Sequence, residues 1–394
     1  MKILFYTTFL TSGGGLEVAA IDYINKFIEK GYEIDLLVDY NFGKENIREK
    51  QISKKINITY LKSEKLSKLI YKLRTLGKKN KIYNVFLYTL IILSDFIIWN
   101  KLLKEIEKKK YDVTITFFQY LPSYITKIKG VKHLIFLHGS VEHYFVGIRK
   151  YFKENYGNKL NKFDYICTVS QGLKNQVEEL FPFIKSKKLK VIYNPINFQK
   201  ILKLSTDYSE IKENEKELLK SKYICTVCRI DESQKDLKTL IGTYSKLNND
   251  VKLIIIGEGP DKENLEKYIK KLDLNNIYFL GNKKNPYVWI NNCELFILSS
   301  KFEGFGLVLV EALLLNKKVI SSNCKVGPEE ILENGKYGEL FEIGNSKELL
   351  EKIEKSLREN KGLDSKKYVM NKFGNGFEKL EKIISGENRY VTKN

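Results

Sequence analysis

Short apolar runs alternate with stretches in which apolar residues recur every three or four positions, from near the first residue to about residue 384. The runs at 2–7, 33–38, 58–61, 113–117, 133–137, 165–169 and 189–193 predict strands. Their near-continuous apolar character is that of strands covered on both faces, as in a parallel sheet. Helical spacing fills the gaps, at 18–29 and in a long stretch near 82–109. The first strand, the turn Gly13-Gly14-Gly15, the helix and the second strand make a βαβ unit with a glycine-rich first turn. Asn194-Pro195-Ile196-Asn197 interrupts the alternation, and a charged connector with a helix follows over 207–222. A second series then begins, with strands at 223–227, 252–256, 277–280, 295–298 and 319–321. Its helices are predicted at 236–246, 262–271, 307–315 and 346–358, and the final pattern over 365–384 is helical. The fold class is therefore α/β, with two Rossmann-like domains, each a doubly wound parallel sheet. The expected divisions are 1–198, 199–367, and a C-terminal helix and tail over 368–394, for which a return to the first domain is one open course.

Composition agrees with two packed domains: 394 residues, 43% of them hydrophobic, exclude a disordered chain or a disulfide-stapled miniature. Charge adds an asymmetry. Residues 1–200 hold 35 Lys+Arg against 18 Asp+Glu, and the remainder holds 33 against 30. Such an excess suits nucleic acid, an anionic membrane surface or an acidic substrate; a solvated lysine-rich surface is the plain alternative. It is densest over 51–110, with 15 Lys+Arg against 4 Asp+Glu, including Lys62, Lys65, Lys68, Lys72, Arg74, Lys78, Lys79 and Lys81. The apolar stretch 82–99 follows directly. Asn84, Thr89, Ser94 and Asp95 interrupt it, which argues for a core or interfacial helix and against a membrane span. Cys225 and Cys228 lie three apart in a predicted strand and so on opposite faces, which reads as reduced core thiols and not a metal or redox site. The opening apolar run is too short for a secretory signal, and a cytoplasmic chain is expected.

Three loops carry candidate chemistry. Lys301-Phe302-Glu303-Gly304-Phe305-Gly306-Leu307 joins the strand 295–298 to a helix containing Glu311. A ligand outside the carboxyl end of a parallel strand meets such a loop first. Its glycines admit close approach, and N–H groups at a helix start suit phosphate or sugar oxygens. Glu303 and Glu311 are placed to accept hydrogen bonds from sugar hydroxyls. Arg229 and Lys235 bracket the loop after the strand 223–227, a fork and a point charge suited to a diphosphate. Gly257-Glu258-Gly259-Pro260 follows the next strand and lines the same rim.

With Leu280-Gly281, Gly327-Pro328 and Glu330, and with Gly13-Gly14-Gly15, His138-Gly139, Val169-Ser170 and Asn194-Pro195 in the first half, these pieces resemble the family 4 retaining glycosyltransferases. The resemblance covers almost the whole chain, least over 52–110. It implies a GT-B fold, in which two Rossmann-like domains face a cleft. It implies that Arg229 and Lys235 hold a donor diphosphate. Glu303 and Gly304-Phe305-Gly306 would contact donor sugar and phosphates, Glu311 the ribose, and His138 the sugar. Gly14, Gly15, Gly257, Gly281, Asn282 and Leu307 would complete the donor site. His138, Glu303, Arg229 and Lys235 form the implied catalytic set. No metal or cofactor is implied, since Asp-x-Asp is absent and the cation pair would steady the leaving group. The implied reaction moves a hexosyl or N-acetylhexosaminyl group from a nucleotide-diphosphate donor, with uridine the expected base, to a saccharide or lipid-linked acceptor. Its implied setting is lipopolysaccharide or capsule assembly, peripheral on the cytoplasmic face of the inner membrane. Asp236 departs from the family, which often has glycine after the lysine. Two rivals are a 2-epimerase of the same fold and a basic nucleic-acid binder; the lysine runs lack the interleaved aromatics the second requires. A dinucleotide oxidoreductase is disfavoured because Gly13-Gly14-Gly15 lacks G-x-G-x-x-G.

Overall fold

The computed structural model describes residues 1–11, 14–54, 56–77, 81–118, 124–145, 151–247, 250–359 and 364–386. Gly13, Lys78 and Lys79 lie outside the described residues. The first sheet has seven strands: β1 (Lys2–Thr7), β2 (Glu33–Tyr40), β3 (Asn57–Lys62), β4 (Val113–Thr116), β5 (Lys132–Leu137), β6 (Tyr165–Thr168) and β7 (Leu189–Val191). Their spatial order is 3-2-1-4-5-6-7. The second sheet contains β8 (Tyr223–Val227), β9 (Lys252–Ile256), β10 (Ile277–Gly281), β11 (Leu295–Leu298), β12 (Val319–Ser322) and β13 (Glu339–Phe341), in the order 10-9-8-11-12-13. The strand pairings are parallel throughout, so the expected pair of doubly wound Rossmann-like sheets is the observed fold. In each sheet the order reverses once, between β1 and β4 and between β8 and β11. Helices leave opposite faces at those points and open a crevice at the carboxyl ends of the strands.

The strands form as predicted because they are apolar on both faces; β4, β11 and β12 are buried along their whole length. Cys225 packs into one core and Cys228 against the other, on opposite faces of the second sheet. The sequence pattern missed β13, a three-residue edge strand too short to show a period. It also missed the helix Tyr287–Asn292.

The predicted helix over 365–384 is two helices, Lys366–Phe373 and Gly376–Ser385. Between them the chain turns onto the first domain. A Cβ on Gly376 would lie 2.1 Å from the Tyr193 carbonyl oxygen, so only glycine permits this approach. Beyond it Phe377 packs on Tyr23 and Phe27, and Lys132 donates to the carbonyls of Ile383 and Ile384. One continuous buried cluster therefore runs from the first sheet through Phe305, Phe373 and Phe377 into the second domain.

Candidate active site

The two switch points face each other. Gly14 caps the helix Gly15–Glu29 at the carboxyl end of β1, and its N–H donates to Glu17 Oε2 at 3.0 Å. The turn reaches across: a Cβ on Gly15 would lie 3.1 Å from Leu307 Cδ1, at the start of the helix Leu307–Leu314. A second crossing is tighter. The sequence pattern gives Gly304 to ligand approach, but a Cβ there would meet the His138 carbonyl oxygen at 1.7 Å, so its glycine lets two backbones touch. Ser170 Oγ donates to the Gly304 carbonyl at 3.0 Å and fixes this contact.

Lys235 and Glu303, expected to serve phosphate and sugar separately, form one unit. Nζ lies 2.5 Å from Glu303 Oε1, which also accepts from Ser300 Oγ at 2.7 Å. Burial opposes the lysine's charge, yet the adjacent carboxylate prevails and holds its pKa above the ordinary value. Arg229 is different: its side chain is 66% exposed and comes within 3.9 Å of Asp231. Asp236, the departure from the family, has φ of 48° and ψ of 44°. That is left-handed backbone, which glycine adopts freely and which aspartate tolerates better than most residues. Asp236 therefore takes here a backbone conformation that glycine would also allow.

His138 follows β5, and its carbonyl is the one that Gly304 meets. Neither ring nitrogen has a hydrogen-bond partner among the described residues, although both are buried. Its ring packs 4.3 Å from Phe117 and 5.8 Å from Phe136. Burial lowers its pKa to about 3, so the imidazole is neutral, with one N–H to give and one nitrogen to accept. A buried polar pair without partners is costly unless a ligand satisfies it. The other histidines are occupied: His133 bonds Thr114 Oγ1 and the Ile128 carbonyl, and His143 stacks on Phe302. A cavity of about 470 Å³ opens between the domains here, lined by Ser140, His143 and Gln176 on one side and Phe302, Glu303 and Lys325 on the other.

Glu311 faces the first domain, half-buried, and accepts from Tyr287 Oη at 3.3 Å. Burial pushes its carboxyl up to about 7, with the charge of Asp22 adding to the rise against the Tyr287 bond. Gly257 and Gly281 are adjacent at the ends of β9 and β10, joined by a 2.9 Å backbone bond, and the neighbouring Asn282 is exposed. Glu330, one of the residues that carry the family resemblance, is a bridge. Oε2 accepts from the N–H groups of Gln171 and Gly172, and Oε1 from Tyr193 Oη at 2.6 Å. Tyr287 and Tyr193 carry no sequence signal of their own; spatial proximity alone reveals them. Among the described residues there is no group of three or more His, Cys, Asp or Glu placed to hold a metal ion.

Residues 13–200 match Glycosyltransferase Family 4, and residues 207–372 match Glycosyl transferases group 1. An uncharacterized glycosyltransferase of Methanocaldococcus jannaschii is 30% identical over 271 residues, 65% of this chain and 70% of that protein. A Campylobacter jejuni enzyme is 33% identical over 221 residues, 54% of this chain and 58% of its own length. It is named N-acetylgalactosamine-N,N'-diacetylbacillosaminyl-diphospho-undecaprenol 4-alpha-N-acetylgalactosaminyltransferase. The chain spans about half the length of the curated relatives at the head of this group. Among solved structures, Anabaena HepE in complex with UDP and glucose superposes with a TM-score of 0.76 at 20% identity, covering 98% of this chain and all of that one. The lipopolysaccharide outer core galactosyltransferase WaaB gives 0.68 at 19% identity, over 98% and 99% of the two chains.

Proposed function

The chain belongs to the glycosyltransferases, with a Family 4 first half and a group 1 second half in a GT-B fold, and from that premise we propose a retaining, metal-independent transfer from a UDP-linked sugar. The observation that carries the reading is the buried Lys235–Glu303 pair, with the exposed Arg229 and the unpartnered His138, all following strands at the apposed carboxyl ends of two sheets. Arg229 and Lys235 stabilise the departing diphosphate electrostatically, and Glu303 and neutral His138 orient the sugar. The acceptor hydroxyl attacks from the face the diphosphate leaves, and the leaving phosphate takes its proton. The acceptor is a saccharide or lipid-linked saccharide of lipopolysaccharide or capsule assembly, met at the cytoplasmic face of the inner membrane. The names of the Campylobacter relative and of WaaB support this setting.

The test is a panel of UDP-, GDP- and ADP-sugars scored for protection against thermal unfolding, since a ligand of the native state raises the melting temperature. UDP-sugars should protect, and turnover with acceptor should survive EDTA. Loss with EDTA and recovery with Mn²⁺ would overturn the metal-free reading. Product formed without acceptor would favour epimerisation.

Glu311 gives a pH dependence. Ionised, it accepts from the ribose hydroxyls; protonated, it loses acceptor capacity. UDP affinity should therefore rise with pH through about 7 and level off above it. Glu311→Gln should bind UDP more weakly and lose that component of the slope. An unchanged profile in the variant would remove Glu311 from the ribose.

A further inference from the structure

The helix Lys81–Lys108 presents two unlike faces. Inward, Leu87 and Ile91 pack with Tyr40, Phe42 and Ile70, and Trp99 stacks against Tyr124 and edges onto Tyr6. Asp95 reaches Lys62, the last residue of β3, at 2.7 Å. Outward, Val85, Phe86, Ile92, Leu93, Phe96 and Ile97 are each 55–68% exposed. They recur at helical spacing and form one stripe about 18 Å long. A contiguous exposed patch of large apolar side chains on a soluble domain marks an interaction surface.

We propose that this stripe is the face on which the protein lies against an anionic lipid bilayer, with the helix in the plane of the interface. The helix is long and apolar enough to cross a membrane by length and composition. Its inner face is nevertheless committed to the domain, and the buried Asp95–Lys62 pair would have to be broken to free it. Only the outer face is available, which is the geometry of an interfacial helix. Charge selects the occupant. Lys65 and Lys72 stand exposed on the preceding helix, Glu64–Gly77, and Lys101 and Lys104 beyond the stripe. Anionic headgroups complement them. A second copy docked through the same face would set these cations against their equivalents. The positive charge along 51–110 thus divides in space: Lys62 is 1% exposed and serves the core, not the lipid.

The surface stands on its own geometry; its use to meet a lipid-linked acceptor rests on the glycosyl-transfer reading. Tyr40 and Lys62 end β2 and β3, so the helix is fastened to the carboxyl edge of the first sheet, the edge that borders the cleft. A bilayer on this face would bring a lipid-borne saccharide to the acceptor side.

The full chain should sediment with vesicles containing phosphatidylglycerol and not with phosphatidylcholine alone, and should be largely released near molar salt. The triple change Ile92→Asn, Phe96→Asn, Ile97→Asn should lower partitioning at least about tenfold, and so should Lys65→Glu, Lys72→Glu, Lys101→Glu. All of these positions are exposed, and an unchanged unfolding transition would show each variant folded. Equal binding to neutral vesicles, or retention by both folded variants, overturns the proposal. So does a wild-type dimer that the apolar variant dissolves while vesicles take up neither protein. Failure of UDP to protect any of these proteins would count against the glycosyl-transfer reading and leave the vesicle result standing.

Discussion

Lys235→Ala should lower kcat by about a hundredfold or more, the usual consequence of removing one preorganised charge contact from a developing negative charge. The geometry raises a second effect that must be separated from the first. Lys235 Nζ sits 2.5 Å from Glu303 Oε1, and Glu303 is only 8% exposed. Deleting the lysine strands a buried carboxylate, which destabilises by about 3–5 kcal/mol when nothing else compensates. Lys235→Met keeps the aliphatic stem and shows both losses. Adding Glu303→Gln removes the stranded charge, so the double variant should regain much of the lost stability and none of the turnover. Melting temperature and single-turnover rates read the two effects independently. Lys235→Ala turning over within about threefold of wild type would exclude the lysine from leaving-group stabilisation.

Lys62→Ala should strongly destabilise the first domain while leaving the cleft residues intact. Its ammonium lies 2.5 Å from Asp39 Oδ1 and 2.7 Å from Asp95 Oδ1, and over the Tyr40 ring at 4.8 Å. Burial opposes its charge, but the two carboxylates prevail and raise its pKa. Without it two acids share a buried site, and a loss of about 3–5 kcal/mol is expected. Burial already raises the Asp39 carboxyl, against the pull of Lys62, and removing the lysine raises it further. The deficit should therefore shrink as pH falls and the stranded carboxylates take up protons. Lys62→Met combined with Asp39→Asn and Asp95→Asn should recover most of the stability. Denaturant titration of the three proteins tests this; a Lys62→Ala protein as stable as wild type would show that the triad contributes nothing.

Much of the architecture was legible because a strand covered on both faces is written as a continuous apolar run. Lys2–Thr7, Tyr223–Val227, Lys252–Ile256 and Leu295–Leu298 begin and end where that pattern does. Elements held by neighbours and not by their own periodicity were invisible, as β13 and the helix Tyr287–Asn292 show. The break at residues 374–375 belongs with them, since helical spacing continues through a turn that exists only because Gly376 meets Tyr193.

The same division runs through the site. Residue type and position after a strand were enough to single out Arg229, Lys235, Glu303 and Glu311, because parallel strands deliver their carboxyl-end loops to one crevice, and the family resemblance added His138. Order along the chain could not say which of these side chains meet. Lys235 and Glu303 are 68 residues apart, and only the adjacency of β8 and β11 pairs them. It also could not tell a glycine that admits a ligand from one that admits a backbone, and Gly304 proved to be the second kind. Lysines count alike in a net charge, whereas burial divides them: Lys62 between two aspartates inside the domain, Lys65 and Lys72 at its surface. Local pattern sets which segments form and which ends they offer. The identity of each side chain's partner is a long-range property, decided when the two sheets close on each other and water is excluded between them.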